Sequence, residues 1–381
     1  MSSKPLPGLP ILPGATLGIL GGGQLGRMFT LAARTMGYKV MVLDPDAASP
    51  AGQMADFHLQ AGYSDPAALQ QIGAACAAIT TEFENVPAAS LIELARHCRV
   101  SPDAAAVAIV QDRSHEKSWL ADQGFATAPF AIIENEADLA AALAATGTPA
   151  LLKVSRFGYD GKGQARVSTL DEAHAAFSAF GSQACVLEGF VKLECEVSVV
   201  LARSDAGECR LFPTAENRHV NGILDVSIVP ARVSEKLAQQ AREMARAVAD
   251  QLGYVGVMAV EFFVVDGRLM INEIAPRPHN SGHYTLDACV TDQFEQQVRA
   301  LAGLPLGDTR LLSPVAMVNI LGDRWQHGEP HWEALLAHPA IKLHLYGKQA
   351  ARPGRKMGHF NVLDADLNAA LELAEQMRDA L

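Results

Sequence analysis

The sequence is poor in cysteine and in basic residues, and it has no long apolar run. Its six cysteines form no Cys-x-x-Cys pair and do not cluster with histidine, which argues against a disulfide framework and a zinc site. The 31 Lys and Arg are outnumbered by 42 Asp and Glu, giving a net charge of −11, and such a chain is repelled by nucleic acids and anionic membranes. No apolar run approaches the roughly 18 residues that span a bilayer, and the first residues show no signal-type core. We therefore expect a cytoplasmic protein without a nucleic-acid or membrane partner.

The sequence does contain enough apolar residues for several cores. Hydrophobic residues make up 49% of the 381, and at roughly 150 residues per domain this length predicts two or three domains. Strands and helices alternate up to about residue 113, which favours a parallel α/β sheet. Closely spaced strands with glycine turns then indicate an α+β region, and a glycine-proline turn at 303–307 precedes a shorter tail. We predict domains at 1–113, 114–308 and 309–381.

A glycine motif follows the first predicted strand, residues 15–20. It has the form Gly21-x-Gly23-x-x-Gly26, a helical stretch comes next, and Asp44 ends the second strand. This context is typical of a dinucleotide-binding loop. Because glycines and a helix N-terminus would serve any phosphate, three interpretations stay open: a dinucleotide, another phosphate ligand, or only a tight turn between strand and helix.

A second glycine-rich loop, residues 157–164, follows a predicted strand at 150–154 that carries Lys153. This arrangement suits a nucleoside triphosphate, because the lysine can meet the phosphates while glycine amides close over them. Lys162 is followed by Gly163 rather than by Ser or Thr, so this is not a Walker loop. The alternative is a solvated turn with incidental lysines.

Acidic residues in apolar strands are the third signal. Glu188 ends a predicted strand, Glu196 lies on the next one, and Glu261 stands inside the apolar stretch 257–265. Exposed carboxylates at a sheet edge would be the simplest explanation for the first two. A carboxylate inside an apolar strand is costly unless it is paired or bound to a metal.

Glu261 and Glu273 can meet only in one register of the predicted hairpin. A two-residue turn would set Glu261 opposite Asn272, whereas a three-residue loop at 266–268 would set it opposite Glu273 on the same face. Two carboxylates and an amide oxygen suit Mg²⁺, which completes its shell with phosphates and water. The alternative is a salt bridge to an arginine elsewhere in the chain.

Two cationic clusters complete the set of candidates. Arg277 and His279 follow the acidic pair directly. Four further cations lie within nine positions that contain no acid, namely Lys348, Arg352, Arg355 and Lys356. Because the chain as a whole is acidic, we expect this second cluster to meet a phosphate or carboxylate ligand.

In this order, the motifs resemble the ATP-grasp superfamily, and specifically its members that carboxylate an aminoimidazole ribonucleotide in purine biosynthesis. The resemblance runs along essentially the whole chain. It is carried by residues 22–28, 81–85, 111–113, 158–164, 272–283 and 352–359. There are two departures: Phe157 stands where a glycine is common, and Glu216 precedes Asn217 where a histidine is more usual.

The resemblance implies both an architecture and a reaction. The architecture is an ATP-grasp fold with an N-terminal Rossmann-like preATP-grasp domain, a glycine-loop lid at about 150–190 and a small C-terminal domain. The reaction uses ATP and Mg²⁺ to phosphorylate bicarbonate, giving carboxyphosphate, and then carboxylates the exocyclic amine of 5-aminoimidazole ribonucleotide. The resemblance also suggests a homodimer, and it needs no NAD.

The resemblance further assigns roles to individual residues. Those implied in catalysis are Asp160, Arg277, His279 and Lys348. Those implied in ATP binding are Arg113, Lys153, Gly158, Tyr159, Asp160, Gly161, Lys162, Gly163, Gln164, Glu188, Gly189, Phe190, Val191, Glu196, His219, Asn272 and Glu273. Glu261 and Glu273 would hold the metal. The ribonucleotide would be bound by Gly23, Gln24, Leu25, Glu82, Asn85, Tyr159, Asn280, Lys348, Arg355 and Lys356.

Three other functions compete with this interpretation. A formate-using glycinamide ribonucleotide transformylase shares ATP, Mg²⁺ and an acyl-phosphate intermediate, but the Tyr159-Asp160 pair and the Arg-Pro-Gly-Arg-Lys tail argue against it. An NAD-dependent dehydrogenase would explain residues 18–44 and leave the second glycine loop without a role. A non-catalytic nucleotide sensor is disfavoured because the metal acids and the phosphate lysine are all present.

Overall fold

The computed structural model describes residues 9–158 and 163–381. Its N-terminal part contains β1 (Thr16–Leu20), β2 (Lys39–Leu43), β3 (Phe57–Leu59), β4 (Ala78–Thr81) and β5 (Arg99–Val100), with α1 (Gln24–Thr35), α2 (Pro66–Ala75), α3 (Ala88–Ala95) and α4 (Ala104–Val110). The five strands are parallel and lie in the order β3-β2-β1-β4-β5. The alternation of apolar strands with helices is therefore confirmed as a parallel α/β sheet.

The position of β1 explains where this sheet can bind a ligand. The strand order reverses at β1, so the loops that follow β1 and β4 open the same crevice at the carboxyl edge of the sheet. Helix α1 begins at Gln24, directly after the glycine motif. Leu17 and Ile19 on β1 are buried, and they fix the start of the crevice by anchoring the strand in the core.

A second, smaller sheet follows. It consists of β6 (Phe130–Ile133), β7 (Ala150–Val154), β8 (Gln164–Val167) and β9 (Cys185–Gly189), flanked by α6 (Asp138–Thr146) and α7 (Leu170–Ala179). The strands are antiparallel in the order β6-β9-β7-β8. One face packs against the two helices around Leu152 and Leu187, so the other face, with Lys153, is left for the cleft described below.

The largest sheet crosses the predicted boundary near residue 309. It is built from β10 (Cys195–Arg203), β11 (Cys209–Leu211), β12 (Ala215–Val220), β13 (Ile223–Val229), β14 (Gly256–Val265), β15 (Arg268–Ala275), β16 (Val315–Leu321), β17 (Ile341–Leu345) and β18 (Lys356–Leu363). The order is β15-β14-β10-β12-β13-β16-β18-β17, and β11 pairs with β10. Because β13 pairs with β16, the C-terminal strands continue the central sheet.

Helices cover this sheet and connect it to the N-terminal part. They are α5 (Arg113–Asp122), α8 (Glu235–Gln251), α9 (Thr285–Ala288), α10 (Gln293–Ala302), α11 (Trp332–Leu336) and α12 (Leu367–Ala380), with 3₁₀ turns at Asn280–Gly282 and Gly322–Trp325. Phe294 and Val298 of α10 share a core with Phe29 of α1. Within the described residues, no helix is both long and apolar enough to cross a membrane.

The β14–β15 hairpin differs from both registers considered for it. Val265 pairs with Arg268, so the turn has two residues, yet Glu261 pairs with Glu273. A bulge reconciles the two facts, because Phe262 pairs with Ile271 and leaves Asn272 as an extra residue. The expected three-residue loop at 266–268 was therefore wrong, although the pairing it was meant to produce is present.

Candidate active site

A cleft of about 480 Å³ lies between the three sheets. Most of the sequence-predicted site residues line it, although they come from all three predicted domains. These are Gln24, Leu25, Glu82, Arg113, Lys153, Gly158, Gly163, Gln164, Glu196, His219, Glu261, Asn272, Glu273, Arg277, His279, Asn280 and Lys356. The predicted residues Tyr159, Asp160, Gly161 and Lys162 lie outside the described residues.

Lys153 is held in place by a buried ion pair. Its Nζ donates to Glu188 Oε2 at 2.8 Å, and Lys117 and Arg113 lie 3.7 and 3.8 Å from the other oxygen of Glu188. Burial alone would raise the pKa of Glu188, but these three cations outweigh it and lower the pKa to about 2. Glu188 is thus a permanent anion that fixes the cations at one wall of the cleft.

Glu261 and Glu273 face each other across β14 and β15. Burial, together with the charge of Glu273, raises the pKa of Glu261 to about 7. Asn272 lies beside them, with Nδ2 at 3.4 Å from Glu261 Oε2 and with its buried Oδ1 left without a hydrogen-bond partner. Two repelling carboxylates and an unpartnered amide oxygen are a fitting donor set for a divalent cation such as Mg²⁺. The described residues hold no cluster of three His, Cys, Asp or Glu ligands, so water and phosphate oxygens would complete the shell.

Helix α5 supplies two site residues that the sequence analysis missed. Glu116 and Lys117 are buried and contact the backbone of β15 on either side of Glu273: Lys117 Nζ donates to Asn272 O at 3.0 Å, and Ile274 N donates to Glu116 Oε1 at 2.5 Å. Arg113, one turn earlier, donates to Glu273 Oε2 at 3.1 Å. The run of charges after Gln111-Asp112-Arg113 was the available signal, but it resembles an ordinary solvated helix face.

His279 sits at the end of a buried hydrogen-bond chain. Its Nδ1 accepts from the Ser281 amide at 3.3 Å and lies 2.9 Å from Ser281 Oγ. Ser198 Oγ donates to Ser281 Oγ at 2.8 Å, Asn217 Nδ2 donates to Ser198 Oγ at 2.8 Å, and Ser227 Oγ donates to Asn217 Oδ1 at 2.7 Å. Since an amide can only donate, Nδ1 is the acceptor and the ring carries its proton on Nε2.

That second ring nitrogen, His279 Nε2, lies 3.4 Å from Glu261 Oε1. Burial, followed by the nearby charges of Arg277 and Lys356, keeps the pKa of His279 well below its usual value. The neutral ring can therefore donate a hydrogen bond to an anion beside the metal carboxylates. Asn280, the next residue, is buried with both polar side-chain atoms unpartnered, and it lines the same cleft.

Arg277 and His219 are also fixed by acids at the cleft. Arg277 Nε donates to Glu84 Oε2 at 2.6 Å, a contact between the segment that follows β15 and the loop after β4. His219 Nδ1 lies 3.1 Å from Glu196 Oε2, and although burial lowers the pKa of His219, this carboxylate raises it overall. Both side chains are thus positioned before any ligand arrives.

The first glycine motif is already occupied by an acid of the chain. The Glu82 carboxylate accepts hydrogen bonds from the amides of Gly23 and Gly26, the second at 2.6 Å. Asp44 Oδ2 accepts from the Gly22 amide at 2.7 Å. A dinucleotide pyrophosphate would need these same amides, so the geometry argues against the dehydrogenase interpretation.

The C-terminal cations lie at the rim. Lys348 and Arg355 are not among the residues that line the cleft, whereas Lys356 is. Lys348 Nζ donates to Lys356 O at 2.7 Å, and Arg355 Nη1 donates to Ala350 O at 2.7 Å. The 352–355 turn is tied to the end of β16, because the amide of Gly322 donates to Arg355 O at 2.8 Å. A Cβ on Gly322 would lie 2.2 Å from Arg352 O, so this close approach requires glycine.

The remaining predicted residues lie around the cleft. Asn85 lines a small adjoining pocket with Arg113 and Glu273. Gly189 ends β9, and its amide donates to Pro129 O at 2.7 Å. Phe190 is half exposed, with the Arg166 guanidinium 4.8 Å from its ring centroid, and Val191 follows it in the chain.

The two departures from the family pattern have structural explanations. Phe157 has φ of +62°, a left-handed conformation that favours glycine, which accounts for the usual residue there. Glu216 is bonded to Arg232, with Arg232 Nε at 2.9 Å from Glu216 Oε2, and both line a groove away from the cleft. Asn217 instead belongs to the chain that ends at His279.

Three family models match the sequence. They are described as a ribonucleotide synthetase preATP-grasp domain at residues 14–111, an ATP-grasp domain at 118–294 and a phosphoribosylaminoimidazole carboxylase C-terminal domain at 315–373. With the cleft between the sheets, these matches define an ATP-dependent ligase of the ATP-grasp class.

Curated relatives and solved structures agree on one branch of that class. The chain is 49% identical over 350 residues to an N5-carboxyaminoimidazole ribonucleotide synthase of Brucella melitensis, covering 91% of this chain and 96% of that one. It is 45% identical over 354 residues to the enzyme of that name from Bacillus subtilis, covering 93% and 92%. An ADP complex of an N5-carboxyaminoimidazole ribonucleotide synthetase matches with a TM-score of 0.90 and 45% identity over 97% of both chains.

A further solved structure carries the same name together with its ligands. It is the Aspergillus clavatus synthase in complex with ADP and 5-aminoimidazole ribonucleotide, with a TM-score of 0.89 and 31% identity over 96% of this chain and 98% of that one. The chain therefore belongs to the N5-carboxyaminoimidazole ribonucleotide synthase family.

Proposed function

We propose that this protein uses ATP to carboxylate 5-aminoimidazole ribonucleotide with bicarbonate, releasing ADP and phosphate. The observation that most directly supports this proposal is that Glu261, Asn272 and Glu273 line the same cleft as Lys153, at the edge where the N-terminal crevice opens. A bicarbonate oxygen would attack the γ-phosphorus and ADP would leave, giving carboxyphosphate. The exocyclic amine would then attack the carboxyl carbon, phosphate would depart, and the amine would lose a proton.

The residues divide between these steps by their chemistry. We assign Lys153, Arg113 and the glycine loop, including Gly158 and Gly163, to the ATP phosphates. Glu261 and Glu273 would hold Mg²⁺, which when bound neutralises phosphate charge and supports phosphoryl transfer. Catalysis would then depend mainly on positioning and charge neutralisation, because bicarbonate is a poor electrophile until one oxygen is phosphorylated.

The anionic substrates are assigned to two cationic regions. Arg277 and His279 would flank bicarbonate or carboxyphosphate, because they follow the metal acids and are positioned by buried partners. Lys348, Arg355 and Lys356 would receive the ribose phosphate at the rim. Since Glu82 already takes the amides of the first glycine motif, that loop would contribute shape and side chains such as Gln24.

The nearest rival is a formate-using ligase acting on glycinamide ribonucleotide. The match of residues 315–373 to a phosphoribosylaminoimidazole carboxylase C-terminal domain favours the imidazole substrate. By the same likeness we propose that the protein is cytoplasmic and forms a homodimer. Light scattering on the purified protein would test the dimer.

The decisive experiment measures ADP release with 5-aminoimidazole ribonucleotide, glycinamide ribonucleotide or no acceptor, each with and without bicarbonate. We expect fast release only when the imidazole ribonucleotide and bicarbonate are both present. Equal release with glycinamide ribonucleotide and formate would replace the proposal with the rival. Absence of ADP release under every condition would instead favour a nucleotide sensor.

A further inference from the structure

The outer edge of β15 is covered by α5 and the segment that follows it. β15 is the last strand of its sheet, with β14 on one side only. Along its other side, Ile271 N donates to Ala126 O at 2.7 Å, Asn272 O accepts from Lys117 Nζ at 3.0 Å, and Ile274 N donates to Glu116 Oε1 at 2.5 Å. Three backbone groups within residues 271–274 are therefore hydrogen-bonded to partners outside the sheet.

This pattern is possible only in a strand with the bulge. In a regular antiparallel strand, the backbone groups of alternate residues point to the same side. Because Ile271 points outward, Glu273 would point outward next, and Asn272 and Ile274 would both point towards β14. Instead, Asn272 O and Ile274 N face α5, because the extra residue shifts the alternation by one position.

Because Glu116 and Lys117 are buried, their contacts with β15 contribute substantially to the free energy of folding. Glu116 is 1% exposed and Lys117 is fully buried. A backbone or side-chain polar group without a partner at such a position loses its hydration with nothing in return. In the regular register, Glu116 would lack its amide donor and Lys117 its carbonyl acceptor, so the pair stabilises only the bulged register.

We propose that Glu116 and Lys117 are positioning residues that select the bulged register and thereby bring Glu273 opposite Glu261. The selection of the register follows from the hydrogen bonds between these two side chains and the backbone of β15. Its consequence for the metal rests on the proposed function of the two carboxylates. Neither residue needs to touch the nucleotide for this role.

The first test is hydrogen–deuterium exchange of peptides spanning residues 269–276 in the nucleotide-free protein. Glu116→Leu removes the acceptor while keeping similar volume, and exchange at Ile274 should become at least tenfold faster. Glu116→Gln keeps an acceptor oxygen and should restore slow exchange. Lys117→Met, which removes the donor to Asn272 O, is the second disrupting variant and should accelerate the same segment.

The second test is the Mg²⁺ concentration that half-activates ADP release. We expect Glu116→Leu to raise it about tenfold or more while leaving KM for 5-aminoimidazole ribonucleotide within twofold, and Glu116→Gln to restore it. Exchange in Glu116→Leu and Lys117→Met that is as slow as in the native protein would overturn the proposal. Faster exchange in these variants with an unchanged Mg²⁺ requirement would overturn it as well. If Glu273→Gln also leaves that requirement unchanged, the metal assignment itself has failed, while the exchange data still decide the register.

Discussion

Glu261 and Glu273 lie opposite each other in an environment that disfavours two negative charges, as the raised pKa of Glu261 indicates. Glu273→Gln preserves size but removes one of the two proposed metal carboxylates. We expect ADP release to fall by on the order of a hundredfold or more, with little change in thermal stability because a carboxylate repulsion is also removed. Steady-state kinetics and calorimetry would measure both.

The matched control for that variant is Glu93→Gln, which changes a partly exposed glutamate on α3. It should leave turnover unchanged. If Glu273→Gln retained more than a third of native turnover, the assignment of the metal to this pair would be wrong.

A second residue-scale prediction concerns the chain that ends at His279. Ser198→Ala breaks the chain two steps from the ring and leaves Asn217 Nδ2 without its acceptor. We expect kcat to fall about tenfold with KM for ATP nearly unchanged, because the imidazole is less firmly held. Steady-state kinetics with ATP varied would separate the two constants.

Ser227→Ala is the matched control, since Ser227 is equally buried and lies at the far end of the same chain. The Asn217 amide still donates to Ser198 there, so kcat should change much less. Equal losses in the two variants would show that the effect is general destabilisation and that the chain does not act through His279.

A third prediction concerns pH. Burial, only partly offset by Arg113 and Lys117, raises the pKa of Glu116 to about 8, against about 4.3 for an unfolded glutamate. Between these values the native state holds a proton that the unfolded state has released. The free energy of unfolding should therefore fall as pH rises from about 5 to about 8, by at most ~1.4 kcal/mol per pH unit from this group. Urea unfolding of the native protein and of Glu116→Gln across this range would measure the contribution as the difference between their two slopes, since Glu261, whose pKa is also raised, contributes to both; identical slopes would contradict the assignment.

At the scale of elements, the loop between β17 and β18 presents the cations of the rim. Arg355 is held by Ala350 O, and the 352–355 turn is tied to Gly322. If Arg355 binds the ribose phosphate, Arg355→Ala should weaken apparent affinity for 5-aminoimidazole ribonucleotide roughly ten- to a hundredfold, or about 1.5–3 kcal/mol. KM for ATP should barely change. The reverse pattern would place this loop in the nucleotide site.

The hairpin shows how far the sequence alone could predict the elements. Two acids in apolar strands and the Asp266-Gly267 turn correctly indicated paired strands, and the metal site that they would carry stays a prediction. The bulge at Asn272 was not predictable, because it depends on contacts made by Glu116 and Lys117, about 155 positions earlier in the chain. Local turn preferences set the loop at two residues, and tertiary contacts then decided the register.

At the scale of the whole molecule, the central sheet joins residues that the sequence assigned to different domains. Val226 and Ile228 of β13 share a core with Val318 of β16 and Phe360 of β18. The composition of the tail and the turn at 303–307 gave a boundary in the sequence, but neither could reveal strand pairing across it. The boundaries at residues 113 and 308 thus stay predictions about the chain, while the sheet itself is continuous.

This continuity predicts cooperative unfolding. Phe360 is fully buried in that shared core. Phe360→Ala should therefore lower the free energy of unfolding by about 3–5 kcal/mol and lower the midpoint temperature of the unfolding transition that includes the central sheet. Scanning calorimetry would measure it, with Phe57→Ala on the half-exposed edge strand β3 as the control. A new low-temperature transition that leaves the main one unchanged would mean that the C-terminal segment unfolds on its own.

The carboxylate of Glu82 on the amides of Gly23 and Gly26 has a consequence for the entropy of substrate binding. An anion-binding loop usually becomes ordered when its ligand arrives, and that ordering subtracts from the affinity. Here the ordering is completed during folding, because the chain supplies the anion itself. The N-terminal wall of the cleft is therefore pre-organised, and a ribonucleotide meets at that wall a surface whose shape is already set.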